Sequence, residues 1–394
     1  MKTGSKPQRN QTADTHSRRV LDFMHAHNQQ LLQILRRLVE IESPSHDKQA
    51  VDHLGQVLAK EFELRGGKIH FHCQQQFGDH LQVDFSGKNT SKPLLLLGHY
   101  DTVYELGTLT SMPFRVDQGR AWGPGVFDMK SGIVFMMAAI SALQELHGGL
   151  PRPLTVLLVS DEEVGSQSSR KITEALAKKS AVVLVMEPAM GLEGALKTAR
   201  KGVGEYRVKV SGRASHAGLD FESGQSAILE LARQIAVISN LTDRQRGITI
   251  NVGVIRGGTR TNVVPAEAEA EIDARIAKPR DAAFLDNKFH ALRPFNKKCR
   301  LEISGGINRP PLERTKAVAS LFAQARAVAT SIGIDLQETS VGGGSDGNFT
   351  AALGIPTLDG LGGVGEGAHA PHESVLLSEL PRRAALLALL IETI

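Results

Sequence analysis

The feature that most constrains this chain is an apolar, β-branched run, Pro153-Leu154-Thr155-Val156-Leu157-Leu158-Val159, that stops at Ser160-Asp161-Glu162-Glu163-Val164-Gly165-Ser166. The run is apolar throughout rather than alternating, which predicts a strand buried on both faces. Its acids then stand where a central strand emerges at its carboxyl end, the place where open α/β sheets bind ligands. Adjacent carboxylates repel one another, and burial raises their pKa values. A divalent cation is the strongest counter-charge for such a group. For a lone acid triplet, the plain alternative is a solvated loop after a strand.

The same pattern recurs. An apolar strand at 93–98 runs into His99-Tyr100-Asp101-Thr102-Val103, and another at 181–186 runs into Glu187-Pro188. Candidate ligands therefore repeat at the ends of strands: His99 and Asp101, Glu162 and Glu163, and Glu187. Residues two apart share a strand face, so Asp101 is placed to accept the second ring N–H of a metal-bound His99. Taken alone, His99 also reads as a structural strand-end histidine. Gly123-Pro124-Gly125-Val126-Phe127-Asp128-Met129-Lys130-Ser131-Gly132 is a tight loop before a helix. Asp128 is there either as a helix N-cap or as a side chain delivered into a crowded site by glycines that permit unusual backbone angles.

Periodicity supplies the frame. Helices are predicted over 18–42, 48–65 (closed by Gly66-Gly67), 131–146 and 170–178, with alternating strands at 69–73 and 80–85. Wholly apolar strands between helices predict an α/β domain, a mostly parallel sheet covered by helices. The pattern then changes. Strands at 202–212, 248–255, 266–276 and 298–304 and helices at 225–241 and 281–292 follow the order βαββαβ, the ferredoxin-like sandwich with an antiparallel sheet. The α/β pattern returns with a helix at 315–332, a glycine-rich loop at 342–347, a strand at 355–358 and a helix at 379–393. The expected organisation is a first domain made of 1–200 and 313–394, interrupted by a second at 201–312.

A chain of 394 residues can hold two cores. The net charge is only +4, and no Lys/Arg block carries interleaved aromatics, so no nucleic-acid partner is expected. Cys73 and Cys299 lie far apart and lack metal-finger spacing. Residues 1–16 are polar and read as a disordered lead-in rather than a secretory signal. No stretch reads as long and apolar enough to span a bilayer, so neither a membrane partner nor any location but the cytoplasm is expected.

Five segments stand in an informative order: Gly98-His99-Tyr100-Asp101-Thr102-Val103, the loop 123–132, Ser160-Asp161-Glu162-Glu163-Val164-Gly165-Ser166, Met186-Glu187-Pro188, and Ala368-His369-Ala370-Pro371-His372-Glu373. In that order the chain, from residue 20 to 394, resembles the two-zinc aminoacylase and carboxypeptidase family. Within it the chain looks most like the bacterial glutamate carboxypeptidases. The resemblance implies a zinc-dependent hydrolase that releases a C-terminal, acidic amino acid from small peptides or N-acyl amino acids. An N-acyl amino acid deacylase or dipeptidase of the same family is the alternative, and a non-catalytic binding scaffold on the same fold is a further one.

The resemblance also implies two Zn2+ per subunit, bridged by Asp128, whose peptide bond to Met129 is cis in the family. His99 and Glu187 would complete one ion, and Glu163 and His369 the other. Glu162 would be the general base and Asp101 would orient His99. The residues themselves leave open which of Glu162 and Glu163 is ligand and which is base. The inserted domain would be a lid and dimerisation domain of a homodimer. In Gly212-Arg213-Ala214-Ser215-His216-Ala217-Gly218, His216 would stabilise the oxyanion in the partner subunit, although its small neighbours fit a surface turn equally well. Asn262, Arg275 and Arg309 would contact substrate, a guanidinium fork being suited to a carboxylate. Gly342-Gly343-Gly344-Ser345-Asp346 reads as a backbone nest for a carboxylate, which makes Gly344 and Ser345 candidates too.

Overall fold

In the computed structural model, which describes residues 8–394, the wholly apolar strands lie side by side. The sheet order is Lys68–His72, His80–Phe85, Leu154–Val159, Leu94–His99, Val182–Val185, Thr357–Leu358. The last four are parallel, and the first two are antiparallel to their neighbours. Leu94–His99 and Leu154–Val159 bury every residue, since both faces of the sheet are covered. Leu94, Leu96, Val156 and Leu158 join one core, against Ser131–His147 and Glu379–Thr393. Leu95, Leu97, Leu157 and Val159 join a second, with Ile172, Ala177 and Leu353. Alternation along a strand therefore separates two apolar cores rather than core from solvent.

The chain divides into two compact units. One is Met1–Thr198 with Arg314–Ser340 and Ser345–Ile394; the other is Ala199–Glu313 with Val341–Gly344. The short stretch Val341–Gly344, placed by sequence in the first domain, thus belongs to the second unit. That unit holds an antiparallel sheet in the order Thr249–Gly257, Glu267–Ile276, Gly202–Ser211, Arg300–Arg309. The helices Ala227–Ser239 and Arg280–His290 supply the rest of its core, where Tyr206 stacks on Phe289 at 3.8 Å.

Three expectations are corrected. The helix expected at 18–42 is two, Gln8–Ala26 and Asn28–Val39. They part at His27, whose ring Nδ1 lies 2.8 Å from the Phe23 carbonyl. The lead-in is helical from Gln8, and Val20 and Met24 of the same helix are fully buried; the first seven residues lie outside the described ones. Finally, Val126–His147 has the length and apolarity of a membrane span, contrary to the sequence reading. Its apolar stretch is 89 % buried inside the fold, so packing accounts for its composition.

Candidate metal centre

Three neighbouring strands carry their polar residues to one edge of the parallel sheet. Leu94–His99 delivers His99, Leu154–Val159 is followed by the short turn Glu162–Val164, and Val182–Val185 is followed closely by Glu187. Asp128 comes from the loop before the helix Ser131–His147 and His369 from the loop before Ser374–Leu376. The Asp128–Met129 peptide bond is cis, and His369 takes a left-handed φ of 62°. Gly125 is required as glycine: its φ is 72°, and a Cβ there would lie 2.8 Å from the Thr102 side chain.

These side chains form two donor groups that share one residue: His99, Asp128 and Glu187, and Asp128, Glu163 and His369. His99 Nε2 lies 3.1 Å from Asp128 Oδ1 and 3.5 Å from Glu187 Oε1. His369 Nε2 lies 3.4 Å from Asp128 Oδ2 and 3.1 Å from a Glu163 carboxylate oxygen. Each oxygen of Asp128 thus faces a different group. Glu163 belongs to a donor group and Glu162 to neither, a distinction the sequence left open.

The electrostatics are those of a site built for cations. Burial opposes a charged His99, but its contacts with Asp101, Asp128 and Glu187 hold the imidazole well above its ordinary value. Contacts with Asp128 and Glu163 lift His369 to about 10. Burial pushes Glu163 up to about 7, with the nearby Asp128 charge adding to it and His369 opposing. Burial opposes ionisation of Asp128 too, yet His369 and His99 hold it well below the carboxylate range. Three carboxylates against two imidazoles leave a buried excess of negative charge, which is costly unless paired. Carboxylate and imidazole donors, three to a group with one carboxylate shared, fit a pair of divalent transition-metal ions with open positions.

The supporting contacts differ in part from the sequence reading. His99 Nδ1 lies 3.1 Å from the Asp101 backbone carbonyl and 3.5 Å from its carboxylate. The fully buried Asp101 carboxylate accepts Ser45 Oγ–H at 2.7 Å and the backbone N–H groups of Glu162 at 3.3 Å and Glu163 at 3.2 Å. It therefore fixes the acid turn as well as the histidine. Glu373 was missed as a functional residue. It is fully buried and accepts the N–H groups of Gly125, Phe127 and Asp128 at 3.1, 2.8 and 2.9 Å, and Tyr104 O–H at 2.6 Å. One carboxylate thus holds the whole loop that presents Asp128. Nothing in sequence separates it from an ordinary loop acid, because its partners are backbone groups 245–248 residues away.

The remaining candidates divide between the units. In the second unit, Ser215–His216 pairs with Val263–Val264, which sets His216 beside Asn262; both are exposed. His216 Nδ1 accepts backbone N–H from Gly218 and Leu219, each at 3.1 Å. An Nδ1 that accepts two hydrogen bonds leaves the ring proton on Nε2 as an outward donor. Arg275 is paired with Asp273 of its own strand, Nη2 to Oδ2 at 2.6 Å and Nε to Oδ1 at 2.8 Å. Arg309 is buried and packs where a Cβ on Gly344 would fall. Two readings are corrected. None of Gly342, Gly343 and Gly344 has the positive φ that a nest alternates with right-handed residues, and the carbonyls of Gly343 and Gly344 accept from Arg200. Ser345, in the first unit, is fully buried; its hydroxyl donates to Asp359 at 2.6 Å and its N–H goes to Asn348, so it has no polar group to offer a ligand.

An α/β sheet whose strand ends gather two donor groups around one shared aspartate is the frame of a metal-dependent hydrolase. The chain belongs to the family described as Peptidase family M20/M25/M40, whose sequence profile matches residues 95–393. It is 30% identical over 367 residues to Carboxypeptidase G2 of Pseudomonas sp. (strain RS-16), a match that covers 92% of this chain and 88% of the relative. It is 27% identical over 324 residues to the succinyl-diaminopimelate desuccinylase of Dechloromonas aromatica (strain RCB), covering 77% of this chain and 84% of that one. Among solved structures, aminopeptidase PepT from Bacillus cereus superposes with a TM-score of 0.74 at 21% identity, covering 93% of this chain and 98% of the other. That likeness is one of fold.

Proposed function

We propose that this hydrolase uses two zinc ions to cleave the amide bond that joins a C-terminal acidic amino acid to a small peptide or acyl group. The observation that carries the reading is the pair of donor groups sharing Asp128, with Glu163 inside one and Glu162 outside both. Zinc held by His99, Asp128 and Glu187, and by Asp128, Glu163 and His369, would polarise the scissile carbonyl and acidify the attacking water. Glu162 takes the proton from that water and delivers it to the leaving amine nitrogen. The Asp101 carboxylate holds the Glu162 backbone N–H, and so fixes the base's point of attachment. His216, protonated on Nε2, donates to the carbonyl oxygen as it gains negative charge; in this proposal it serves the site of a second copy in a homodimer. Arg275, released from Asp273, pairs with the substrate carboxylate, and Asn262 and Arg309 are the further substrate contacts that the family resemblance implies. The acidic preference is supported by these arginines, and the release of a C-terminal residue by the similarity to Carboxypeptidase G2. A cytoplasmic location belongs to the same proposal.

The test is a hydrolysis screen of peptidyl and N-acyl amino acids that differ only in the C-terminal residue, with and without added zinc. Release of glutamate or aspartate ahead of neutral residues is expected. Faster release of simple acyl groups, whatever the amino acid, would make the chain a deacylase instead. Full activity in verified metal-free protein would overturn the mechanism.

A further inference from the structure

A second set of side chains of metal-ligand type lies apart from the two donor groups. His16 of the helix Gln8–Ala26, His147 at the end of Ser131–His147 and Glu392 in the last turn of Glu379–Thr393 bring one donor atom each to within 4.8 Å of one another. His16 Nε2 lies 2.9 Å from Glu392 Oε2, and His147 Nε2 lies 2.7 Å from Glu392 Oε1. The two rings meet edge to face, their centroids 4.9 Å apart.

An ordinary ion-pair cluster explains only half of this. His16 makes a hydrogen bond to the carboxylate. His147 Nε2, however, is buried and makes no hydrogen bond despite the short distance. A buried nitrogen that is close to a carboxylate oxygen but not aligned to bond to it is destabilising. A cation that took its lone pair would remove the penalty. Tetrahedral zinc with donors at about 2.0–2.2 Å separates those donors by roughly 3.3 Å. Two contacts here are slightly shorter and the whole group spans no more than 4.8 Å, so side-chain rotation alone reaches that geometry.

The backbone supports the same reading. Each donor stands on a helix rather than a loop, and the helix Glu379–Thr393 packs against both of the others. His147 ends its helix, where the dipole favours positive charge, and Gly148 turns the chain away in the left-handed conformation. Lys88 Nζ donates to the His147 carbonyl, a positive group on the backbone rather than on the imidazole. Both rings are about one-third exposed (35% and 30%), which leaves room for water to complete the coordination.

We propose that His16, His147 and Glu392 form a structural site for a divalent transition metal, zinc foremost, that ties the first described helix to the core of its unit. Two imidazoles and one carboxylate select zinc, cobalt or nickel over calcium and magnesium, which prefer oxygen. The site is separate from the catalytic donor groups and shares no residue with them.

The test counts metal. Full-length protein carrying its active-site metal is equilibrated with zinc chloride above about pH 6.5, where free imidazoles are neutral. Loose metal is removed by gel filtration and bound zinc is measured by mass spectrometry. Wild type should hold one equivalent more than His147→Gln or Glu392→Gln, with hydrolysis unchanged. The same difference should persist when each protein also carries Asp128→Ala, which separates this site from the catalytic pair. Zinc should raise the melting temperature of wild type more than that of the variants, and calcium should raise neither. His16→Gln, whose ring is the more exposed, is the variant to use if the others do not fold. Equal zinc content in wild type and a folded variant would overturn the proposal, as would a difference that vanishes in the Asp128→Ala background.

Discussion

The two sheets of this chain solve the same packing problem differently. In the first unit, Leu154–Val159 buries all of its residues, sending alternate side chains into separate apolar cores. In the second, Glu267–Ile276 buries only every other residue, and Glu269, Glu271, Asp273 and Arg275 stand on the open face. A strand covered on both faces has no place for a charged group along its length, and the one hydroxyl of Leu154–Val159, on Thr155, is taken up by Asp84 at 2.7 Å. Its ionisable residues must lie at or beyond its end, and at the edge of the parallel sheet several such ends come together. A strand with one open face spreads its charges along its length, where they pair locally, as Arg256 does with Glu271 at 2.7 Å. Concentrated, buried charge is what a metal can compensate; dispersed, solvated charge has no need of one.

The sharpest way to break this comparison is to remove the shared ligand. Asp128→Ala should strip metal from both donor groups and reduce hydrolysis below that of any other single variant, checked by metal content and rate together. Glu162→Gln should lower turnover by about two to four powers of ten while both metals stay bound. If instead Glu162→Gln lost metal and Glu163→Gln kept it, the roles of the pair would be exchanged. Glu373→Gln keeps shape but loses the charge that gathers the N–H groups of the Asp128 loop. A weakening of metal affinity of about 10–100-fold, measured by competition with a chelator, is expected.

The packing half of the comparison has smaller consequences. In the first unit, Leu157→Ala and Leu158→Ala are neighbours on one strand, both fully buried, and each should cost about 2–5 kcal/mol. In the second, Val208→Ala should cost about 0.5–3 kcal/mol, while its neighbour Lys209→Ala should stay within about 0.5 kcal/mol. Denaturant midpoints of the four variants test this directly. A costly Lys209→Ala would mean that the open face is covered in solution, and the contrast between the sheets would need redrawing.

Much of this was legible in the sequence because it depends on local pattern. Continuous apolarity at 93–98, 153–159 and 181–186 marked strands covered on both faces, and alternation after 201 marked an antiparallel sheet. The motifs at the ends of those strands carry His99, Glu163 and Glu187, whereas Asp128 and His369 lie in two other loops and took their ligand roles only from the family resemblance. Other features were illegible because their partners are distant. Which of Glu162 and Glu163 joins a donor group depends on which carboxylate is turned towards Asp128 and His369, and neighbours in sequence carry no signal for that. Glu373 gains its role from backbone N–H groups, which every residue possesses, so only their convergence identifies it. Ser345 looked available in a glycine-rich loop, until burial and Asp359 claimed its hydroxyl. Sequence by itself determined which segments are apolar and where charge is left over at their ends, since those follow from the side chains along one strand. Tertiary structure alone decided which charges face one another, because electrostatic contact depends on distance in space and on the water that packing has removed.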